Sequence, residues 1–141
     1  GPGRRPPHTL APTLVANFDG SLKAVVGTMG GDSQPQIVLQ LLARLLLVGQ
    51  SPAEALSAPR WRLAGANPTG FHTWANPGEI VLELEGSAAS AEAALQRLGH
   101  SIRTASAHNS GFGHAHIIEV KDGSLAGAAD PRASVGAAAG Y

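Results

Sequence analysis

The stretch GTMGGDSQPQ, residues 27–36, joins two apolar segments of different length. The segment before it, residues 22–26 (LKAVV), is short and predicts a buried strand, whereas residues 37–48 (IVLQLLARLLLV) predict a helix. The glycine pair, Gly30 and Gly31, therefore lies at a turn between a strand and a helix. Glycine at such a turn permits positive φ angles and lets another group approach the backbone closely.

The residues after the glycine pair predict the start of the helix. Asp32 is the expected N-cap, and Pro35 fits the first turn, where its missing N–H costs nothing. The first N–H groups of a helix have no intrahelical acceptor and favour negative charge. The turn is thus a candidate backbone site for an anion or for an oxyanion that develops during a reaction. The alternative is a tight turn without a ligand. A P-loop is excluded, because no Lys-Ser or Lys-Thr follows the glycines.

Composition bounds the class of protein. The chain has 141 residues, and its Lys and Arg residues equal its Asp and Glu residues in number, so its formal net charge is zero. This balance argues against a nucleic-acid surface. The absence of cysteine excludes disulfides and a cysteine nucleophile. The apolar run 37–48 is too short for a bilayer, so we expect a soluble protein without a membrane partner, either cytoplasmic or exported.

Turn signals divide the rest of the chain into short strands and helices. Asp19-Gly20 and Asp122-Gly123 predict β-hairpins, and the spacing of Ser51 and Glu54 predicts a capping box. Strands are expected at 13–17, 22–28, 60–63, 80–84, 101–105, 114–120 and 124–128, with helices at 34–48, 52–57 and 88–98. We predict one α+β domain over residues 1–141, with antiparallel sheets covered by helices.

The longest helix carries few polar residues. Gln36, Gln40 and Arg44 lie four apart and form one narrow polar stripe on it. Because the remaining positions are almost all apolar, we expect this helix to be buried on most sides. Gly49 is its expected C-terminal stop.

Four segments in order resemble the gamma-glutamyltransferase (gamma-glutamyltranspeptidase) family. They are residues 5–13 (RPPHTLAPT), residues 27–36, residues 55–60 (ALSAPR) and the C-terminal Asp130-Pro131-Arg132 with residues 136–141 (GAAAGY). The resemblance implies the C-terminal part of the small subunit of an N-terminal-nucleophile hydrolase. It further implies that the fold is an αββα sandwich, present here in part.

The resemblance also implies a reaction. Members are precursors that cut themselves, and the new N-terminal Thr attacks γ-glutamyl amides such as glutathione. That Thr is expected upstream of Gly1, so this chain alone is expected to be inactive. The implied partners are the large subunit, the N-terminal part of the small subunit and a γ-glutamyl small molecule. No cofactor and no metal are implied.

By resemblance, the backbone N–H groups of Gly30 and Gly31 form the oxyanion hole. His8 and Thr9 occupy the place of two serines that hold the α-carboxylate of the substrate. Thr9 keeps a hydroxyl group, whereas His8 departs from the family pattern. This departure leaves two alternatives open, namely an acylase for glutaryl or cephalosporin-type amides and a non-catalytic domain that binds an anion.

Other residues receive structural interpretations. His114 and His116 should share one face of a strand, but a metal site needs three or four ligands, so packing or surface roles are expected. Asp130 and Arg132 are a predicted turn-fixing pair, and residues 109–113 (NSGFG) are predicted to be a flexible loop without chemistry. A layered domain that is present only in part exposes apolar surface, so we also expect self-association.

Overall fold

The computed structural model describes residues 1–5, 10–65, 80–86 and 89–140. Its elements are β1 (Thr13–Ala16), β2 (Leu22–Met29), a 3₁₀ turn (Gly31–Ser33), α1 (Gln34–Leu42) with a π-helical continuation (Ala43–Val48), α2 (Pro52–Ser57), β3 (Trp61–Ala64), β4 (Val81–Glu85), α3 (Ala89–Arg97), β5 (Ile102–Ala105), a second 3₁₀ turn (Ser110–Phe112), β6 (His114–Lys121) and β7 (Ser124–Ala129). Every predicted strand and helix is thus found, within a few residues of its expected bounds.

The strands that the structure describes form two sheets. The first has four strands in the order β1-β2-β6-β7 and is antiparallel throughout. The second has three strands in the order β3-β4-β5, and β5 runs parallel to β4. The prediction of antiparallel sheets is therefore wrong for β5. The reason is that α3 connects β4 to β5. A helical crossover returns the chain to the starting end of the sheet, so the next strand runs parallel to the one before it.

Both predicted hairpin turns are confirmed. Gly20 has a φ of 85° between β1 and β2. Asp122 and Gly123 have φ angles of 50° and 74° between β6 and β7, as a two-residue type I′ turn requires. The register of β2 with β6 then places Met29, the last residue before the glycine pair, opposite His114.

The core lies between the four-stranded sheet and the helices α1 and α2. Its fully or nearly fully buried side chains come from both layers: Ala24, Val26, Ala115 and Ile117 from the sheet, and Ile37, Val38, Leu41, Leu45, Ala55 and Leu56 from the helices. The capping box of Ser51 and Glu54 starts α2 as predicted. Alternation along β2 and β6 sends every second side chain into this core.

The long helix differs from its prediction in one respect. It ends at Gly49, whose φ is 75°, as expected. However, Leu39 is 61% exposed and Leu47 is 85% exposed, so the helix is not buried on most sides. The sheet covers only one face, and the described residues place no layer on the opposite face. In the described part of the chain, no helix is long and apolar enough to cross a membrane.

Candidate active site

The glycine pair forms the turn between β2 and α1, as its place in the sequence predicts. Gly30 has φ 153° and ψ 13°, and Gly31 has a φ of 55°. The N–H of Ser33 donates to Gly30 O over 3.0 Å, which closes a single 3₁₀ turn before α1. Gly31 is the first residue of that turn, and the leading N–H groups of a helical segment have no acceptor within it. The geometry thus presents backbone donors at the start of the helix.

Asp32 is not the N-cap of α1, so that prediction is wrong. The 3₁₀ turn delays the helix, and Ser33 takes the N-cap position without a side-chain hydrogen bond to the helix. Asp32 lies inside the turn instead. Its Oδ2 atom is buried and has no hydrogen-bond partner among the described residues.

The two predicted carboxylate-binding residues, His8 and Thr9, lie outside the described residues. Their role therefore stays a prediction. The chain just after them is fixed, because the N–H of Ala11 donates to Oε1 of buried Gln34 over 3.0 Å. Gln34 is the first residue of α1 and follows Gly31 by three positions.

The start of β6 packs against the back of the glycine turn. Gly113 has a φ of 83°, and a Cβ atom on it would lie 2.5 Å from Met29 O and 2.7 Å from Cδ1 of Ile37. The same methyl group of Ile37 would lie 3.2 Å from a Cβ on Gly30. Real Cβ atoms do not approach so closely, so only glycine fits at position 113 without a shift of the turn.

The segment 109–113 is an ordered turn and not the predicted flexible loop. Oδ1 of Asn109 accepts a hydrogen bond from the N–H of Gly111 over 2.8 Å. The Phe112 ring is fully buried, and the Arg62 guanidinium lies 5.1 Å from its centre. Arg62 also donates to Gly111 O. The turn thus has a side-chain cap, a buried anchor and a cation above the ring.

Four buried charged side chains form a network next to the turn 109–113: Arg60, Glu85, Asp130 and Arg132. Arg60 pairs with Asp130 over 2.7 Å, and Arg132 pairs with Asp130 over 3.0 Å and with Glu85. The predicted pair of Asp130 and Arg132 is confirmed. Arg60 and Glu85 were not predicted to belong to a site, although a carboxylate that ends an apolar strand was a usable signal.

Backbone groups form the remaining hydrogen bonds of the network, and buried charges need such bonds to offset their lost hydration. Arg132 donates to Leu56 O, in the last turn of α2, over 2.7 Å, and to Ala58 O, just after α2, over 2.9 Å. Glu85 accepts from the N–H groups of Arg60 and Asn109 over 3.0 and 3.1 Å. The network therefore joins α2, β4 and the turn 109–113.

Electrostatics within the network favours its charged form. Burial alone would raise the pKa of Asp130, but hydrogen bonds from the N–H groups of Ala115 and Arg132, with the charge of Arg60, hold it below its ordinary value. Burial lowers the pKa of Arg60, although the nearby Asp130 opposes this. Arginine nevertheless stays charged in proteins. Asp130 thus remains an anion between two guanidinium groups.

The two histidines of β6 lie on one face of the strand, as predicted. His114 is opposite Met29, and His116 is opposite Gly27. The Nε2 atom of His114 is buried and has no partner in the described ranges. The described residues contain no group of three or more His, Cys, Asp or Glu that is placed to hold a metal.

The comparisons with known proteins identify the family. The family model described as Gamma-glutamyltranspeptidase matches residues 1–141. This chain belongs to the gamma-glutamyltranspeptidase family, which is a family of enzymes. An oxamate amidohydrolase proenzyme of Klebsiella pneumoniae is 41% identical over 142 residues, and a glutathione hydrolase-like proenzyme of Bacillus subtilis is 35% identical over 143 residues. Each match covers 99% of this chain and 25% of the relative, so the chain spans about a quarter of these relatives.

Solved structures confirm the fold. An acivicin-inhibited gamma-glutamyltranspeptidase superposes with a TM-score of 0.74 at 26% identity, over 96% of this chain and 66% of that chain. A cephalosporin acylase from Bacillus halodurans gives a TM-score of 0.67 at 27% identity, over 87% of this chain and 21% of that chain. The fold is α+β of the N-terminal-nucleophile hydrolase type, present in part.

Proposed function

We propose that the whole protein hydrolyses or transfers the acyl group of γ-glutamyl amides, and that Gly30 and Gly31 donate backbone hydrogen bonds to the oxyanion. The observation that carries the proposal is the glycine turn at the start of α1, with its two positive φ angles and its close packing on Gly113. Family membership supports the class of reaction. The nucleophile is an N-terminal Thr outside this chain, and the other partners are the remaining parts of the same precursor.

The proposed steps follow the chemistry of an N-terminal nucleophile. The threonine hydroxyl gives its proton to the α-amine and attacks the acyl carbon, and the carbonyl oxygen becomes an oxyanion. The donors of the glycine turn stabilise that oxyanion, which collapses and expels the amine with the transferred proton. Water or an acceptor amine then attacks the acyl ester and releases the threonine. These steps use no metal and no organic cofactor.

We propose that Thr9, with His8, holds the carboxylate of the acyl donor. The hydrogen bond from Ala11 to Gln34 supports this placement, because it fixes the chain two residues after Thr9 beside the start of α1. A hydroxyl group and an imidazole both donate hydrogen bonds to a carboxylate.

A second candidate is the hydrolysis of amides that lack the γ-glutamyl group. It is favoured by the relative named as an oxamate amidohydrolase, by the cephalosporin acylase among the similar structures, and by His8, which replaces a serine of the family pattern. An imidazole is larger than a serine hydroxyl and also donates a hydrogen bond, so it suits a carboxylate on a shorter acyl group.

The test uses the full-length precursor with γ-glutamyl-p-nitroanilide, glutathione, oxamate and a glutaryl amide as substrates. We expect the processed wild type to turn over a γ-glutamyl amide, and this chain alone to be inactive. Turnover of oxamate or of the glutaryl amide alone would replace the first candidate by the second. A precursor whose N-terminal Thr is changed to Ala should stay uncut. Activity in that variant, or in this chain alone, would overturn the mechanism.

The variant His8→Ser separates the two candidates further. If His8 sets the preference for a short acyl group, the change should raise kcat/KM for γ-glutamyl amides and lower it for oxamate. Ser106→Ala serves as a control, because Ser106 follows β5 and, among the described residues, its hydroxyl accepts one long hydrogen bond, from Nδ2 of Asn109 over 3.4 Å. Equal effects of His8→Ser on all substrates would remove His8 from substrate selection.

A further inference from the structure

The two partners of one buried ion pair hold the chain on both sides of Gly113. Nη1 of Arg60 donates to Phe112 O over 2.9 Å, on the residue just before Gly113. Asp130 exchanges two hydrogen bonds with Ala115, since its Oδ2 accepts from the Ala115 N–H over 2.9 Å and its own N–H donates to Ala115 O over 3.0 Å. Arg60 and Asp130 in turn pair with each other over 2.7 Å.

This clamp, Arg60 with Asp130, leaves little freedom for the residues between its ends. Both side chains are at most 1% exposed, so water cannot substitute for a lost contact. The segment held is Phe112–Ala115, and its Gly113 lies directly against Met29 O and the Ile37 methyl group. A shift of this segment would therefore shift the backbone from which the glycine turn begins.

We propose that the clamp of Arg60 and Asp130 positions the glycine turn, by fixing Phe112–Ala115 against Met29 and Gly30. The functional consequence rests on the proposed function, in which the turn binds the oxyanion. Arg60 is then a positioning residue, because it acts through Phe112 and Gly113. A misplacement of about 1 Å in such a site is sufficient to cost on the order of 100-fold in rate.

The chemistry of the clamp suits positioning better than stability. Replacing a buried ion pair by apolar side chains of similar volume is often neutral or stabilising, so the pair is weak support for a role in stability alone. An arginine has five donors in a fixed plane, and the two Nη groups of Arg60 donate to Asp130, Phe112 O and Leu56 O. A lysine would keep the charge but hold fewer of these acceptors in one geometry.

The test compares Arg60→Lys with Arg103→Lys in the full-length protein. Arg103 also pairs with a carboxylate, Glu83, over 3.0 Å, but it lies on β5, outside the clamp. The first readout is hydrogen–deuterium exchange of the peptide that covers residues 27–36. The second is the pair of kcat and KM for the amide substrate, measured on folded, processed enzyme.

We expect faster exchange of residues 27–36 in Arg60→Lys and a kcat lower by about 100-fold at similar KM, with both unchanged in Arg103→Lys. A lower melting temperature with wild-type exchange in this peptide and wild-type kcat would show a structural role only and overturn the proposal. If the wild type turns over no amide, the proposed function fails, whereas the exchange comparison still decides whether the clamp positions the turn.

A second pair of variants covers the case in which Arg60→Lys does not fold. Gly113→Ala and Gly123→Ala place the same methyl group at the two ends of β6, and both positions have positive φ angles, 83° and 74°. Only Gly113 has neighbours in the way, since a Cβ on Gly123 meets nothing within 4 Å. Faster exchange at residues 27–36 in Gly113→Ala alone is the expected result. Equal exchange in both variants would contradict the coupling.

Discussion

The side-chain amide of Gln40 forms two hydrogen bonds with the backbone of Trp61. Its Nε2 donates to Trp61 O over 2.8 Å, and its Oε1 accepts from the Trp61 N–H over 3.0 Å. Gln36, one turn earlier on α1, makes the same pair of contacts with Leu63, over 3.4 and 2.7 Å. The two amides thus take the place of a neighbouring strand along one edge of β3, where the described residues place no strand, while the other edge pairs with β4.

We predict that Gln40→Glu destabilises the chain at neutral pH by about 1–3 kcal/mol. The carboxylate keeps the acceptor for the Trp61 N–H but faces Trp61 O with a second acceptor. A protonated carboxyl would donate to Trp61 O, so the folded pKa of the new side chain should be raised and the loss should shrink as the pH falls through it. Urea unfolding between pH 4 and pH 8 checks this. A loss that is independent of pH would mean that the donor to Trp61 O contributes little.

The contact between α1 and β3 was predictable from the sequence only in part. The spacing of Gln36, Gln40 and Arg44 predicted one polar stripe on α1, and the side chains do share a face. The stripe's partner was not predictable, because β3 has only four residues and lies 21 positions after Gln40. Local patterns such as Asp122-Gly123 determine a hairpin by themselves, whereas a contact between distant segments depends on the whole packing.

The candidate site was likewise predictable from the sequence only in part. The glycine turn was predictable, since it needs only a strand, two glycines and a helix. The clamp of Arg60 and Asp130 was not, because its two residues come from distant segments of the chain. Glu83 and Glu85 are only 7% and 1% exposed, although carboxylates are almost never buried without a partner. Their arginine partners on other segments make that burial possible.

We predict that Asp130→Asn destabilises the chain at pH 7 by about 3–5 kcal/mol, because it leaves Arg60 and Arg132 buried with less negative charge. The pKa of Asp130 lies below its ordinary value of 3.8 in the folded chain. Its contribution is therefore complete above about pH 4 and is lost as the pH falls through the folded pKa. The difference between wild type and variant should shrink only under those acidic conditions.

Urea unfolding at pH 7 and at several values below pH 4 measures this difference. Asp122→Asn is the matched control, because Asp122 is exposed in a hairpin turn and Asn-Gly also favours a type I′ turn. It should leave the free energy of unfolding nearly unchanged at every pH. A constant loss in Asp130→Asn across the acidic range would mean that its carboxyl does not titrate with unfolding.

We predict that this chain self-associates and that Leu47→Lys weakens the association. Leu39, Leu46, Leu47 and Val48 leave an apolar surface on the outer side of α1 and its π-helical continuation, and Leu47 is the most exposed of them. Sedimentation velocity over a concentration series measures the effect. Leu98→Lys is the control, because Leu98 is similarly exposed but follows α3 and belongs neither to α1 nor to its continuation. A monomeric wild type at all concentrations would contradict the prediction.

We predict that Gly30→Ala lowers kcat of the whole enzyme by about 100-fold or more, with little change in KM, because oxyanion donors act mainly in the transition state. Two costs add at this position. A φ of 153° is unfavourable for alanine, and its Cβ would lie 3.2 Å from Cδ1 of Ile37.

Ile37→Val removes that methyl group, so the double variant should recover part of the lost kcat, whereas Ile37→Val alone should cost only about 0.5–1.5 kcal/mol of stability. Steady-state kinetics of the four proteins, with circular dichroism to confirm folding, measures the coupling. Wild-type kcat in folded Gly30→Ala would remove the turn from catalysis, and strictly additive losses would show that Ile37 does not set the position of Gly30.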